Sequence, residues 1–234
     1  MNKHFQAPWS IKDMTLSVAL TVIIFVLVMV FGMDFLKGRL ESFGDHWLIL
    51  FGFVFQWIAI LVPLLAITWL KYGLKWSYFG FKKVSVKTII LTVLGGYVLY
   101  LGINMILSII IIFSGLKIPG YQIQESLANS FSSTTAAVFI GILMVTMIAP
   151  IIEEIFFRGF IMRTISNKTG LLWGNILSAL IFSSLHYPWQ SFIPIFILGI
   201  IINSMVLRSN SIWPAIAFHM MNNAIAFIFQ FSLV

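Results

Sequence analysis

Seven apolar runs separated by short polar or charged stretches divide the chain. They are Met14 to Met33, Trp47 to about Leu70, about Thr88 to Phe113, Ala136 past Arg158 towards Arg163, Leu171 to Tyr187, Phe192 to Leu207, and Ile212 to Phe231. At 1.5 Å per residue, about 20 apolar residues cross a bilayer core. The pattern therefore predicts an all-α, polytopic transmembrane helix bundle of about seven spans, the short fifth and sixth runs leaving seven to eight. The first run is longer than the core of a secretory signal and lacks a small-residue cleavage site, so it is expected to be an uncleaved span. Pro63 predicts a kink in the second, with Trp47 and Trp69 as interfacial anchors. Lys71 to Lys87, with five Lys beside Trp76, Tyr78 and Phe81, suits an amphipathic segment lying on an anionic leaflet. Gly95, Gly96, Gly102 and Asn104 favour close contact of the third span, Pro119-Gly120 signals a turn, and Asn167 to Gly170 ends the fourth helix. No linker, low-complexity tract or internal repeat divides residues 1–234, which read as a single membrane domain.

Composition agrees: of 234 residues 60% are hydrophobic and only 9% are charged. The net charge of +7 implies no nucleic acid, because the basic residues cluster between apolar runs, where they meet lipid headgroups and set orientation. With a cytoplasmic N-terminus, the inner side receives Lys3, Lys12, Lys71, Lys75, Lys82, Lys83, Lys87, Arg158, Arg163, Lys168 and Arg208. The outer side then has Lys37, Arg39 and Lys117. This bias predicts an integral, multi-pass protein of the bacterial plasma membrane with its N-terminus inside, in contact with membrane lipid. The absence of Cys excludes thiol nucleophiles, disulfides and thiolate ligands.

Against that background Glu153, Glu154 and Arg158 stand out, since a charge at bilayer depth costs about 2.5–3.5 kcal/mol on insertion scales. On a helix Glu154 and Arg158 are an i, i+4 pair with the acid N-terminal, and Glu153 is turned away, free for another task. Two further spans carry polar faces: Asn175, Ser178, Phe182 and His186 on the fifth, and His219, Asn223, Ala226 and Gln230 on the seventh. A single His or Asn would be read as interhelical glue. Two Glu, an Arg, two His and an Asn on three spans point to chemistry instead.

A Glu with a neutral His can deprotonate water, while a second His and an Asn amide can donate to an oxyanion, a full set for peptide hydrolysis. The same Glu153, His186 and His219 could instead bind zinc with an open position. Asp13, Asp34 and Asp45 lie outside the spans, and there is no His-Glu-x-x-His or Gly-x-Ser-x-Gly. Ser183 and Ser184 read as packing or hydrogen-bonding residues rather than nucleophiles. A proton-coupled transporter is a competing reading, disfavoured by the lack of a repeat. A non-catalytic bacteriocin-immunity or scaffold role is a third.

Glu153-Glu154-x-x-x-Arg158, then Phe182-x-x-x-His186, then His219-x-x-x-Asn223, in that order on successive spans, resembles the CPBP family (CAAX proteases and bacteriocin-processing proteins, also called Abi). The resemblance covers about residues 130–230. It implies an intramembrane endopeptidase, CAAX prenyl endopeptidase-like and glutamate-dependent or metal-dependent, in which Glu153 and His186 activate water, His219 and Asn223 form the oxyanion site, and Glu154 and Arg158 support them. The expected substrate is a membrane-associated peptide or protein, prenylated or a leader, cleaved near the cytoplasmic interface. The lack of a local two-His ligand pair favours a site requiring no metal, with zinc as the alternative. Helical rise counted from the cytoplasmic ends places His219, Glu153 and His186 at roughly 10, 15 and 22 Å, a mismatch the fold must resolve.

Overall fold

The computed structural model describes residues 7–32, 45–73, 75–121, 135–186 and 189–232. Among the described residues seven helices follow the seven apolar runs. They are α1 (Ile11–Leu27, continued by a π turn Val28–Gly32), α2 (Asp45–Tyr72), α3 (Val86–Ser114), α4 (135–169), α5 (Leu171–Ser184), α6 (Phe192–Ser209) and α7 (Trp213–Ser232). No strand occurs among the described residues. Length and composition suit four helical segments to crossing a membrane: Leu50–Tyr72, Val86–Ser114, Val138–Thr169 and Trp189–Ser209. Pro63 lies within α2, which continues to Tyr72. The loop with Lys37 and Arg39, His4, Pro188 and the side chains of His46 and Gln230 lie outside the described residues.

Local chemistry sets the ends. Ser10 and Asp13 form a reciprocal capping box at the start of α1. Asp13 also takes Lys71 Nζ at 2.6 Å and the Tyr72 hydroxyl at 2.5 Å, tying α1 to the end of α2. Ser85 caps α3, Gly115 ends it at φ 65°, and Asn210 ends α6 at φ 55°.

The core is built around α4, whose lower half (Ile152, then 154–166) is buried throughout. Gly170, at φ 88° and ψ 167°, is the single residue joining α4 to α5. Beyond it Gly174 lies so close to Ser166 that a Cβ would fall on the serine side chain. The two arms of this hairpin resolve the depth mismatch. Helix α4 runs to Thr169 rather than stopping near Arg163, so Glu153 and His186 lie at nearly equal counts either side of Gly170.

The segment after α2 adds contacts to those expected. Beyond the amphipathic pattern, it tucks Phe79 into the core, fully buried, against Trp9 (4.9 Å between ring centroids). Its Gly80 carbonyl accepts Ile212 N–H at 2.9 Å and its Lys82 carbonyl accepts Ser211 Oγ–H at 2.7 Å, while Phe81 meets Trp213 edge-on. The α6–α7 turn is thus tied to this segment. Arg163, counted above among the inner-side charges, is buried beneath Gly80, where a Cβ would lie 2.5 Å from its Nη2. The physical reason for these contacts is the aromatic content: Phe79 and Phe81 bury apolar area in the protein. Trp76 and the side chains of Lys75, Lys83 and Lys87 are exposed or half-exposed.

Candidate active site

Glu153 and Glu154 sit at the junction of an α-helical stretch, Ala149–Glu154, with a π-helical one, Ile155–Ile161. Adjacent positions on one turn point in different directions, and the two acids have different partners. Glu154 is fully buried and its Oε1 accepts from Arg158 Nη1 at 2.8 Å and from His219 Nδ1 at 2.8 Å. Glu153 Oε2 has no hydrogen-bond partner among the described residues. It faces His186 Nε2 at 3.7 Å and His219 Nε2 at 3.8 Å.

The partners of the two rings fix their tautomers. His186 Nδ1 lies 2.6 Å from the Phe182 carbonyl, which only accepts, so Nδ1 carries the proton. His219 Nδ1 likewise donates to the Glu154 carboxylate. In neutral rings both Nε2 atoms are bare, and three acceptors converge: two imidazole nitrogens and a carboxylate oxygen. Their separations exceed hydrogen-bond reach and suit a bridging donor such as water. Phe182 packs edge-on to His219 and close to His186, at 5.9 and 4.3 Å between centroids, so one aromatic ring braces both.

Asn223, one helical turn beyond His219, donates from Nδ2 to the Val145 carbonyl at 3.0 Å. That carbonyl is available because of Pro150. The preceding stretch Met144–Ile148 is π-helical, with Ala149 N–H bonded to Met144 O. In that register the next donor would be residue 150, which as proline has no N–H. Asn223 fills the place, and its second amide hydrogen remains for another acceptor.

Sequence reasoning missed two residues. Asn203 on α6 accepts Arg158 Nε–H at 3.0 Å and donates to the Asn175 carbonyl and Ser178 Oγ, both at 2.8 Å. As a lone amide in an otherwise apolar run it carried the signal that α5 carried through Asn175. Asp13 lies beside the first apolar run, yet it is buried. Burial alone would raise its pKa, but the bonds from Lys71, Ser10 and Tyr72 outweigh this and hold the carboxyl well below the usual range. Ser183 and Ser184 donate to the Leu180 carbonyl and make no contact with His186 side-chain nitrogens.

For a metal, the donor types fit: Glu153, His186 and His219 present a carboxylate and two Nε2 atoms whose Nδ1–H groups have partners, the arrangement that orients metal-bound imidazoles. By donor spacing, however, no group of three or more His, Asp or Glu among the described residues forms a cation cage. The Glu153 to Nε2 separations are a few tenths of an ångström wider than two ligands about 2.0–2.1 Å from a tetrahedral zinc would show.

Comparison with known proteins matches residues 135–225 to the family model described as type II CAAX prenyl endopeptidase Rce1-like. The "Putative membrane peptidase YdiL" of Bacillus subtilis (strain 168) is 29% identical over 98 residues, 42% of this chain and 40% of that protein. The chain thus aligns with less than half the length of this curated relative. No solved structure matches the chain. The matched segment contains Glu153, Glu154, Arg158, His186, His219 and Asn223, and over it the chain is similar to this family of membrane peptidases.

Proposed function

We propose that this chain is a CPBP-family intramembrane endopeptidase. Glu153 and His186 activate a water, His219 and Asn223 hold the oxyanion, and Glu154 with Arg158 keeps that shell in place. The observation supporting this is the convergence of Glu153 Oε2 on the Nε2 atoms of both histidines, with each Nδ1 already committed elsewhere.

A water among these acceptors donates to Glu153 and His186 and turns a lone pair towards a peptide carbonyl carbon. Glu153 takes its proton as the carbon–oxygen bond forms, and the proton later passes to the departing amine as the carbon–nitrogen bond breaks. His219 can donate from Nε2 only when doubly protonated, since Nδ1 is bound to Glu154. The Glu154 carboxylate is placed to balance that charge, and the free amide hydrogen of Asn223 supplies a second donor. Were zinc to occupy the site, Glu153, His186 and His219 would hold it, and it would polarise the carbonyl and acidify water.

The substrate class that suits a site on helices α4 and α7 and the turn that ends α5 is a membrane-associated peptide or protein, prenylated or a leader. With the N-terminus cytoplasmic in a bacterial plasma membrane, the product would be released near the inner interface. Purified protein in detergent should cleave members of a panel of membrane-anchored and prenylated peptides. Cleavage should vanish in Glu153→Gln and in His186→Ala; cleavage that survives both substitutions overturns the assignment.

A further inference from the structure

We propose that Asn203 is a positioning residue for this site, acting through Arg158 and Glu154 to hold His219 by its Nδ1, with its Nε2 turned towards Glu153. Its kinetic test rests on the protease reading; its spectroscopic test does not.

The two ends of a carboxamide look alike, but here the neighbours decide between them. Nδ2 faces two acceptors, the Asn175 carbonyl and Ser178 Oγ, and Oδ1 faces Arg158 Nε–H. Turning the amide over would set N–H against N–H and oxygen against a carbonyl. Its orientation is therefore fixed by α5, and Asn203, at 1% exposure, has both amide hydrogens and its oxygen in use.

This fixed oxygen places Arg158. The guanidinium has three constraints: Nε on Asn203, Nη1 on Glu154, and its face over the Phe182 ring at 4.2 Å. The first two define its in-plane rotation and the third its plane. Arg158 Nη1 and His219 Nδ1 then share a single carboxylate oxygen, so where Arg158 sits decides where Glu154 sits, and Glu154 decides which nitrogen of His219 carries hydrogen. Glue between α5 and α6 would need only the two Nδ2 bonds. The third bond, from Oδ1 to Arg158, is the one that reaches the site, and it brings in α6, which supplies none of the residues named in the reaction above.

Asn203→Ala removes the acceptor of Arg158 Nε–H, a hydrogen bond to a charged group. The expected effect is a roughly ten- to hundredfold loss in kcat with KM little changed. In an Arg158→Lys background, which has no Nε–H, the further loss on adding Asn203→Ala should shrink to less than about twofold. Additive losses, or a change confined to KM, would overturn the proposal. Independently of any cleavage, protein labelled with 15N-histidine should show a protonated, hydrogen-bonded His219 Nδ1 in the wild type and a shifted, heterogeneous Nδ1 signal in Asn203→Ala. An unchanged His219 spectrum would refute the proposal even with cleavage lost. Should Asn203→Ala not fold, Ser178→Ala removes one anchor of the amide and carries the same two measurements, with a smaller shift expected and an unchanged spectrum counting against the proposal. Wild-type protein that cleaves nothing, or Glu153→Gln that still cleaves, would sink the protease reading and leave the histidine spectrum to decide the role of Asn203.

Discussion

Asn223 completes the hydrogen bonding that Pro150 interrupts, donating at 3.0 Å to the Val145 carbonyl that a residue with an N–H at 150 would serve. Asn223→Leu should therefore lower stability by about 1 kcal/mol, the cost of a lost hydrogen bond to a part-buried carbonyl. Pro150→Ala restores a donor, so in that background the same substitution should cost much less on melting in detergent. Proteolysis should stay impaired in both, because the second amide hydrogen is lost either way. Full recovery of cleavage in the double variant would reduce Asn223 to a helix tie.

The adjacent acids should separate cleanly. Glu153 is partly accessible and Glu153 Oε2 is unbonded among the described residues, so Glu153→Gln should fold with an unchanged melting temperature and lose roughly 10²–10⁴-fold in rate. Glu154 is fully buried between Arg158 and His219, so Glu154→Leu leaves a guanidinium uncompensated and should cost about 3–5 kcal/mol. Thermal melts beside single-turnover rates distinguish them; equal loss of stability in both would contradict the geometry.

At Gly174 an added Cβ would lie 2.8 Å from the Ser166 Cα, backbone that cannot step aside without parting α4 from α5. Gly174→Ala is expected to destabilise by about 1–3 kcal/mol as overpacking does. It should also weaken cleavage, since His186 is carried on the displaced arm. At Gly95 there is open space, so Gly95→Ala is the control and should match the wild type in both measurements.

Asp13 provides a pH dependence outside the apolar run. Its folded pKa is depressed, so its contribution is fully present above the unfolded value of about 3.9 and is lost as pH falls through the lower folded value. Asp13→Asn should melt below the wild type at pH 7, and the gap should close as the pH is taken from 4 towards 2. Because the Lys71 side chain is 58% exposed, added salt should narrow the gap only in part, the Ser10 and Tyr72 bonds being insensitive to it. A gap that persists unchanged at pH 2 would assign the loss to packing instead.

Much of the architecture was legible because lipid-crossing helices announce themselves by length and hydropathy: each of the seven apolar runs lies on one helix, with ends displaced by a few residues. The three polar faces were legible because Glu153, His186 and His219 are costly where they stand. What was not legible depends on contacts between distant segments. Phe79 reads as one more interfacial aromatic until Gly159 is seen to make room for it, with a Cβ position only 3.0 Å from its ring. Asn203 reads as a lone amide until Arg158 is seen to need an acceptor. The burial of Arg163 beneath Gly80 was hidden in the same way, because it depends on a segment more than 80 residues away.

The one-residue link at Gly170 makes the chain measure by counting. Glu153 and His186 meet because two arms of nearly equal length leave one pivot, much as the two scales of a vernier coincide at one mark. Adding or removing a residue in either arm would turn its side chain by about 100° and move it along the axis by about 1.5 Å. Between these two residues the number of positions is therefore as constrained as the identities of Arg158, Gly174 and Phe182.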